Sequence, residues 1–331
     1  MLAVLAGVCS AQAAGTLDQI KSAGELSCGV VTEEYDYDKD DIHGNLSALG
    51  TDTCKAAAAA VLGEHGRVLV SSFPDEHHGL EALASGKIAL LAGATPRASM
   101  GARYGVGFGQ PFFFDGQGFI VAKIAGINST GDLVGKRICF IGNTEAETVL
   151  DATFRRRAID FLPFPFEEQG EMEAALIAGH CAAVTSDISQ LANTRAAFHG
   201  RINDFVILPE VITFDPLAPA FHSDDPQWEA IVNWTIYATI QAEASGVTRA
   251  NVDAMSSSED PVTSRLLTKA GGVGRALVLE EAWAAHVIKA VGNYGEMFER
   301  DAGQRSPLKL DRGMNALWTT KGGLMYPLPS R

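Results

Sequence analysis

Few side chains in this sequence stand at spacings that do chemistry by themselves. No Gly-x-Ser-x-Gly occurs, so the exposed serine of a strand-to-helix nucleophile elbow is missing. The eight histidines are scattered. His77 and His78 are adjacent; on a helix they diverge by about 100° and cannot share a metal as i, i+4 partners would, so a solvated helix start is the plainer reading. Carboxylates crowd the stretch from Glu33 to Asp41, and such a charge run reads as a water-facing loop before it reads as a divalent-cation site. Gly271, Gly272 and Gly274 look like a fragment of a phosphate loop, but no Lys-Ser or Lys-Thr follows and no strand precedes them. No catalytic residue, no metal site and no cofactor is expected, and an enzyme would have to rest on residues that the sequence does not mark.

The cysteines carry more information. Leu2 to Val8 is a short apolar run, followed by Cys9-Ser10-Ala11-Gln12-Ala13-Ala14 and then polar residues, which reads as the end of a secretory signal peptide over 1–14 with cleavage after Ala13 or Ala14. No basic residue precedes the run, so the natural start is expected farther upstream. Val8 stands before Cys9 where a lipid-anchoring signal needs a small residue. Removal of the signal leaves Cys28, Cys54, Cys139 and Cys181, an even set in a compartment where disulfides persist. Four cysteines allow three pairings; Cys28 with Cys54 and Cys139 with Cys181 gives each half of the chain one loop of modest length. No CxxC or HxxxH spacing favours a metal instead.

The elements around these residues alternate. Leu26 to Val31 has the apolar character of a buried strand, and Cys54 to Leu62, with its five alanines, reads as a helix stopped at Gly63. Val68 to Val70, a helix over Gly79 to Ser85, and Ile88 to Leu91 repeat the pattern. It restarts with strands at Gly118 to Ala122 and Arg137 to Ile141, the latter leading through Gly142-Asn143-Thr144 into a helix from Glu145 to Arg157. Helices over Glu171 to Ala178 and Ile188 to Ala197 bracket a strand at Ala182 to Thr185, and Phe205 to Leu208 follows. Asp224 to Gly246 is apolar at helical spacing and reads as a packed helix. This layout is α/β, with no tandem repeat.

Composition bounds the partners. With 331 residues and 47% apolar side chains, the chain is long enough for one or two domains with proper cores. The 26 Lys and Arg against 40 Asp and Glu leave a formal charge of −14, which works against nucleic acid and anionic lipid.

From Thr16 to Arg331 the chain resembles the periplasmic solute-binding proteins of polar amino acid ABC transporters, in particular the general L-amino-acid branch. The stretches that carry the resemblance are Asp115-Gly116-Gln117-Gly118-Phe119, Leu208-Pro209-Glu210 with Asp215-Pro216-Leu217-Ala218-Pro219-Ala220, and Gly292 to Arg300. Ser306-Pro307-Leu308, Gly313 to Trp318 and Gly322-Gly323-Leu324 extend it. The resemblance implies a two-lobed periplasmic-binding-protein fold of type II, its lobes joined by two crossing strands: one of residues 15–118 with 213–331, the other of 119–212. It implies a small amino-acid-like ligand enclosed between the lobes, a membrane ABC permease as partner, no nucleic acid, and a monomer in the periplasm. The rival reading is a repurposed accessory protein that binds no ordinary amino acid.

The resemblance also implies site residues. The second lobe offers the turn Asn143-Thr144 at a helix N-terminus to a ligand carboxylate, with Glu147 just inside the helix; unpaired N–H groups and the positive end of the helix dipole attract an anion. Asp187 matches the family's ammonium-binding aspartate, although it stands equally well as the cap of the helix from Ile188. In the first lobe the arginine that clamps the carboxylate falls on Gly101 and the two polar positions on Ala94 and Pro96. Arg97 or Arg103 recovers the charge with a local shift, and Thr95 recovers one hydroxyl. Tyr35 or Tyr37 either supplies the aromatic wall or stands exposed on the entry loop. Acidic residues near the mouth disfavour glutamate and aspartate and favour cationic or neutral ligands.

Overall fold

The computed structural model describes residues 15–32, 46–198, 200–268 and 272–329. Residues 1–14, where a signal peptide is expected, and the acidic run with Tyr35 and Tyr37 lie outside the described residues. The strands are β1 (Glu25–Val31), β2 (Arg67–Phe73), β3 (Leu90–Ala94), β4 (Val106–Phe108), β5 (Phe113–Asp115), β6 (Gln117–Ala122), β7 (Arg137–Ile141), β8 (Leu162–Phe166), β9 (Ala183–Asp187), β10 (Phe205–Ile207) and β11 (Asp215–His222). They form two sheets. The first has the order β2-β1-β3-β11-β4, with β5 also paired to β11; the second has the order β10-β6-β9-β7-β8. β1 runs parallel to β2 and β3, and β7 parallel to β8 and β9, as strand-helix-strand units require. β11 and β6, the strands next to the crossings, run antiparallel to their neighbours.

Helices cover both faces of each sheet. The largest core packs the helices Leu46–Leu62, Pro226–Ala244 and Trp283–Val291 against one face of the first sheet, and Leu80, Leu83 and Ile88 fill the other face. Ala56 to Ala60 are buried on all sides because Leu46–Leu62 lies between β1 and Trp283–Val291; small side chains let both neighbours come close. This helix starts eight residues before the alanine-rich segment suggests. Its first turns carry polar residues that find partners: Asp52 pairs with Lys55 one turn on at 2.9 Å and with the distant Arg300, and Thr53 donates to the Leu49 carbonyl of the preceding turn.

Several boundaries move for identifiable reasons. β3 runs Leu90–Ala94 rather than Ile88 to Leu91, because its small residues are held in register by β1 on one side and β11 on the other. β8 contains Pro163 and Pro165, which argue against a strand, yet it pairs only with β7 at the sheet edge, where a missing N–H is tolerated. Both disulfides form within a sheet and its helices: Cys28–Cys54 ties β1 to Leu46–Leu62, and Cys139–Cys181 ties β7 to the turn before β9, with Cα separations of 6.0 and 5.8 Å.

The chain passes between sheets twice, at 115–117 and at 208–215. The two passages touch. Gln117 N–H donates to Thr213 Oγ1 at 2.7 Å, and Ile212 N–H donates to the Gln117 carbonyl at 2.8 Å. At Gly116 a Cβ would lie 2.5 Å from the Thr213 carbonyl oxygen, closer than backbone atoms can yield to. Gly116→Ala therefore should push the crossing segments apart and lower stability by about 1–3 kcal/mol, read from urea denaturation; an unchanged midpoint would show that the crossing has slack.

Candidate functional site

A cleft of about 580 Å³ opens between the two sheets, within the range of about 300–1,000 Å³ common for small-molecule sites. From the first sheet come Asp75, Thr95, Arg97 and Asp215; from the second come Gln117, Thr144, Glu145, Asp187 and Gln190. Each sits where a strand ends or a helix begins, because strand ends open onto the gap between the sheets.

Thr144 begins the helix Glu145–Arg156. Asn143, with φ at 60°, takes the left-handed conformation that turns β7 into this helix, a conformation asparagine tolerates better than most residues. Thr144 does not cap the first turn through its side chain; its hydroxyl donates back to the Ile141 carbonyl at 2.7 Å. Glu147 Oε2 accepts from the Asn143 N–H at 2.8 Å. Thr144 thus lines the cleft, whereas Asn143 and Glu147 brace the turn and do not line it.

Asp187 ends β9 and precedes the helix Ile188–Ala197. Its side chain makes no capping hydrogen bond. Asp115 takes that task, its Oδ1 accepting from Ser189 N–H at 3.3 Å and from Gly116 N–H at 2.9 Å. The Asp187 carboxylate is left facing the cleft. Water reaches it there, yet protein surrounds it on most sides, and that burial, with Asp115, Asp215 and Glu145 nearby and Arg97 opposing, pushes its pKa up to about 7. Asp215 stands opposite Asp115 in the β5–β11 register and accepts from the Thr213 hydroxyl.

On the facing wall Thr95 follows β3 and Arg97 precedes the helix Ala98–Tyr104. The Arg97 guanidinium lies 3.8 Å from Glu145, so the pair bridges the cleft. It is a loose, solvated pair of the kind worth under about 1 kcal/mol, and a better partner displaces it at little cost. Beneath Arg97, Glu76 is held above the usual carboxylate range by burial, against the opposing pull of Arg97 and the Thr95 N–H. Arg103 points elsewhere: it stacks over Tyr104, 5.2 Å from the ring centroid, outside the cleft. His77 and His78 stand exposed at a helix start, where Asp75 caps the His78 N–H at 2.9 Å.

The sequence-based site thus comes together at Thr95, Arg97, Thr144 and Asp187. Gln117, Glu145, Asp215 and Gln190 were not anticipated. Gln117 and Asp215 stand inside stretches that carry the family resemblance, which was a signal of position though not of role. The side chain of Gln117 is buried, its Nε2 donating to the Ala146 carbonyl at 2.9 Å and to Thr185 Oγ1 at 3.0 Å.

No family model matches the chain. It is 41% identical, over 99% of its length and 96% of the relative's, to the general L-amino acid-binding periplasmic protein AapJ of Rhizobium johnstonii. It is 36% identical, over 100% and 97%, to the glutamate/glutamine/aspartate/asparagine-binding protein BztA of Rhodobacter capsulatus. A solved ABC transporter periplasmic binding protein from Brucella ovis with glutathione bound superposes with a TM-score of 0.76 at 36% identity, covering 96% of this chain and all of that one.

The raised pKa of Asp187 has a stability consequence whose sign is fixed. The folded state holds this proton more tightly than the unfolded chain, so stability falls as pH rises between the ordinary value of 3.8 and about 7. Asp187→Asn, which mimics the protonated acid, should raise the melting temperature of the ligand-free protein, and the gain should grow from about pH 4 to about pH 7 and then level off. A difference that does not vary with pH would show this carboxylate to be an ordinary one.

Proposed function

The chain belongs to the periplasmic amino-acid-binding proteins of ABC transporters, and on that footing we propose that it captures a small solute bearing an ammonium and a carboxylate group and delivers it to a membrane permease. The observation that carries this reading is the convergence of Arg97 and Thr95 from one wall with Thr144 and Asp187 from the other on a single cleft. The ligand carboxylate displaces Glu145 from Arg97 and takes the N–H groups at the start of Glu145–Arg156, while the ammonium pairs with Asp187. Arg97 therefore replaces the clamp whose usual position is Gly101. The two lobes are residues 15–118 with 213–331 and residues 119–212, and they close over the ligand because only the closed form engages both walls.

The role is one of binding and delivery, not catalysis, and the protein acts in the periplasm after export by its signal peptide. Among the described residues no helix is long and apolar enough to cross a membrane. The names of the relatives support an amino acid, or a γ-linked peptide such as glutathione, as the ligand class.

Calorimetry against the twenty amino acids and glutathione tests the proposal. Saturable binding by at least one of them is expected, and silence across the panel would favour the accessory role. Arg97→Ala should weaken binding by roughly 10- to 100-fold, the worth of a charge-assisted hydrogen bond of about 1.5–3 kcal/mol. Arg97→Lys should recover part of that loss, and Arg103→Ala should change nothing. Because ligand ammonium favours ionised Asp187, affinity should fall by up to about tenfold per pH unit below pH 7; a flat profile would mean that Asp187 does not meet the ammonium.

A further inference from the structure

The wall that carries Asp187 continues as a stripe along one helix. Asp187, Gln190, Leu191 and Thr194 follow one another at i, i+3, i+4 and i+7, the spacing of a single helical face, and all four line the cleft. At a rise of about 1.5 Å per residue the stripe runs about 10 Å from Asp187 to Thr194. Its far end is polar, with Thr194 and Gln169 lining the cleft. Glu173 Oε1 accepts from Thr194 Oγ1 at 2.8 Å and from Gln169 Nε2 at 2.9 Å. Midway, the side-chain oxygen of Gln190 is buried and has no hydrogen-bond partner among the described residues, although the residue is only 9% exposed. Buried polar atoms are nearly always paired in folded proteins, so an acceptor left open on a cleft wall marks the place of a donor that the protein itself does not supply. Leu191, Met172 and Val184 add apolar surface to the same cleft.

We propose that the ligand is an α-amino acid with a long side chain ending in hydrogen-bond donors, preferably cationic, whose methylenes lie along Leu191 and Met172 and whose donor end pairs with the Gln190 side-chain oxygen. This rests on the reading above, in which the ammonium meets Asp187. The charge of the cleft favours the same class: Asp75, Glu145, Asp187 and Asp215 line it against the single cation Arg97 among the described residues. A ligand ending in a carboxylate would set its charge against the Gln190 oxygen and the acidic lining of the cleft.

Calorimetry on the full chain at pH 8 with L-arginine, L-citrulline, L-norleucine and L-glutamate separates the contributions. Arginine and citrulline are expected to bind at least about tenfold more tightly than norleucine, which has the stem without the donors, and glutamate should be the weakest. Gln190→Leu should reduce the arginine-to-norleucine ratio by about tenfold, and Gln190→Glu, which preserves size and adds charge, should raise it. Norleucine or glutamate binding as well as arginine, or a ratio indifferent to both variants, would overturn the assignment while leaving amino acid capture intact. If none of the four ligands nor any other amino acid binds, the proposed function falls with it.

Discussion

Two strands that must cross between lobes in close contact bring negative charge together, and much of the cleft follows from that constraint. The contact of Gly116 with the Thr213 carbonyl and the Gln117–Thr213 hydrogen bond fix the register of both passages. That register sets Asp115 opposite Asp215 and Gln117 opposite Asp187. Like charges on paired positions repel. Here the repulsion is divided unequally: Asp115 is buried and engaged by N–H groups, Asp215 accepts from the Thr213 hydroxyl, and Asp187 is left with burial and its neighbours' charge.

The division of work between Asp115 and Asp187 explains how one helix start serves two purposes. An aspartate before a helix ordinarily spends its side chain on the first turn. Because Asp115 arrives from the crossing strand to meet the Ser189 N–H, Asp187 is released to face the cleft. A similar division operates at the other helix start, where Glu147 braces Asn143 and Thr144 bonds backwards, so the first turn is not closed by its own cap. The cleft is therefore unbalanced, negative around Asp187, and among the described residues Arg97 bridges it through no more than a loose pair with Glu145.

Much of this was legible in the sequence. β7 and the helix Ile188–Ala197 have the bounds their residues suggest, and the two-lobed α/β fold follows from the alternation and the family resemblance. The start of Leu46–Leu62 was not legible, because Asp52 is made compatible with a buried helix by Arg300, 248 residues away. Nor was the choice between Arg97 and Arg103: both precede or lie on the short helix Ala98–Tyr104, and only the three-dimensional course of that helix turns one toward Glu145 and the other onto Tyr104. Gln190 could have been found by counting helical turns from Asp187, but its open acceptor is a property of what surrounds it.

The central claim is that a ligand completes a charge arrangement to which both lobes contribute, so that binding and closure are one event. Small-angle X-ray scattering with and without saturating L-arginine measures this directly. The account predicts a smaller radius of gyration in the liganded protein and no contraction in Asp187→Asn at the same concentration. A wild-type protein that binds the amino acid at full occupancy with an unchanged scattering curve would contradict it, since the ligand would then be held by one lobe alone.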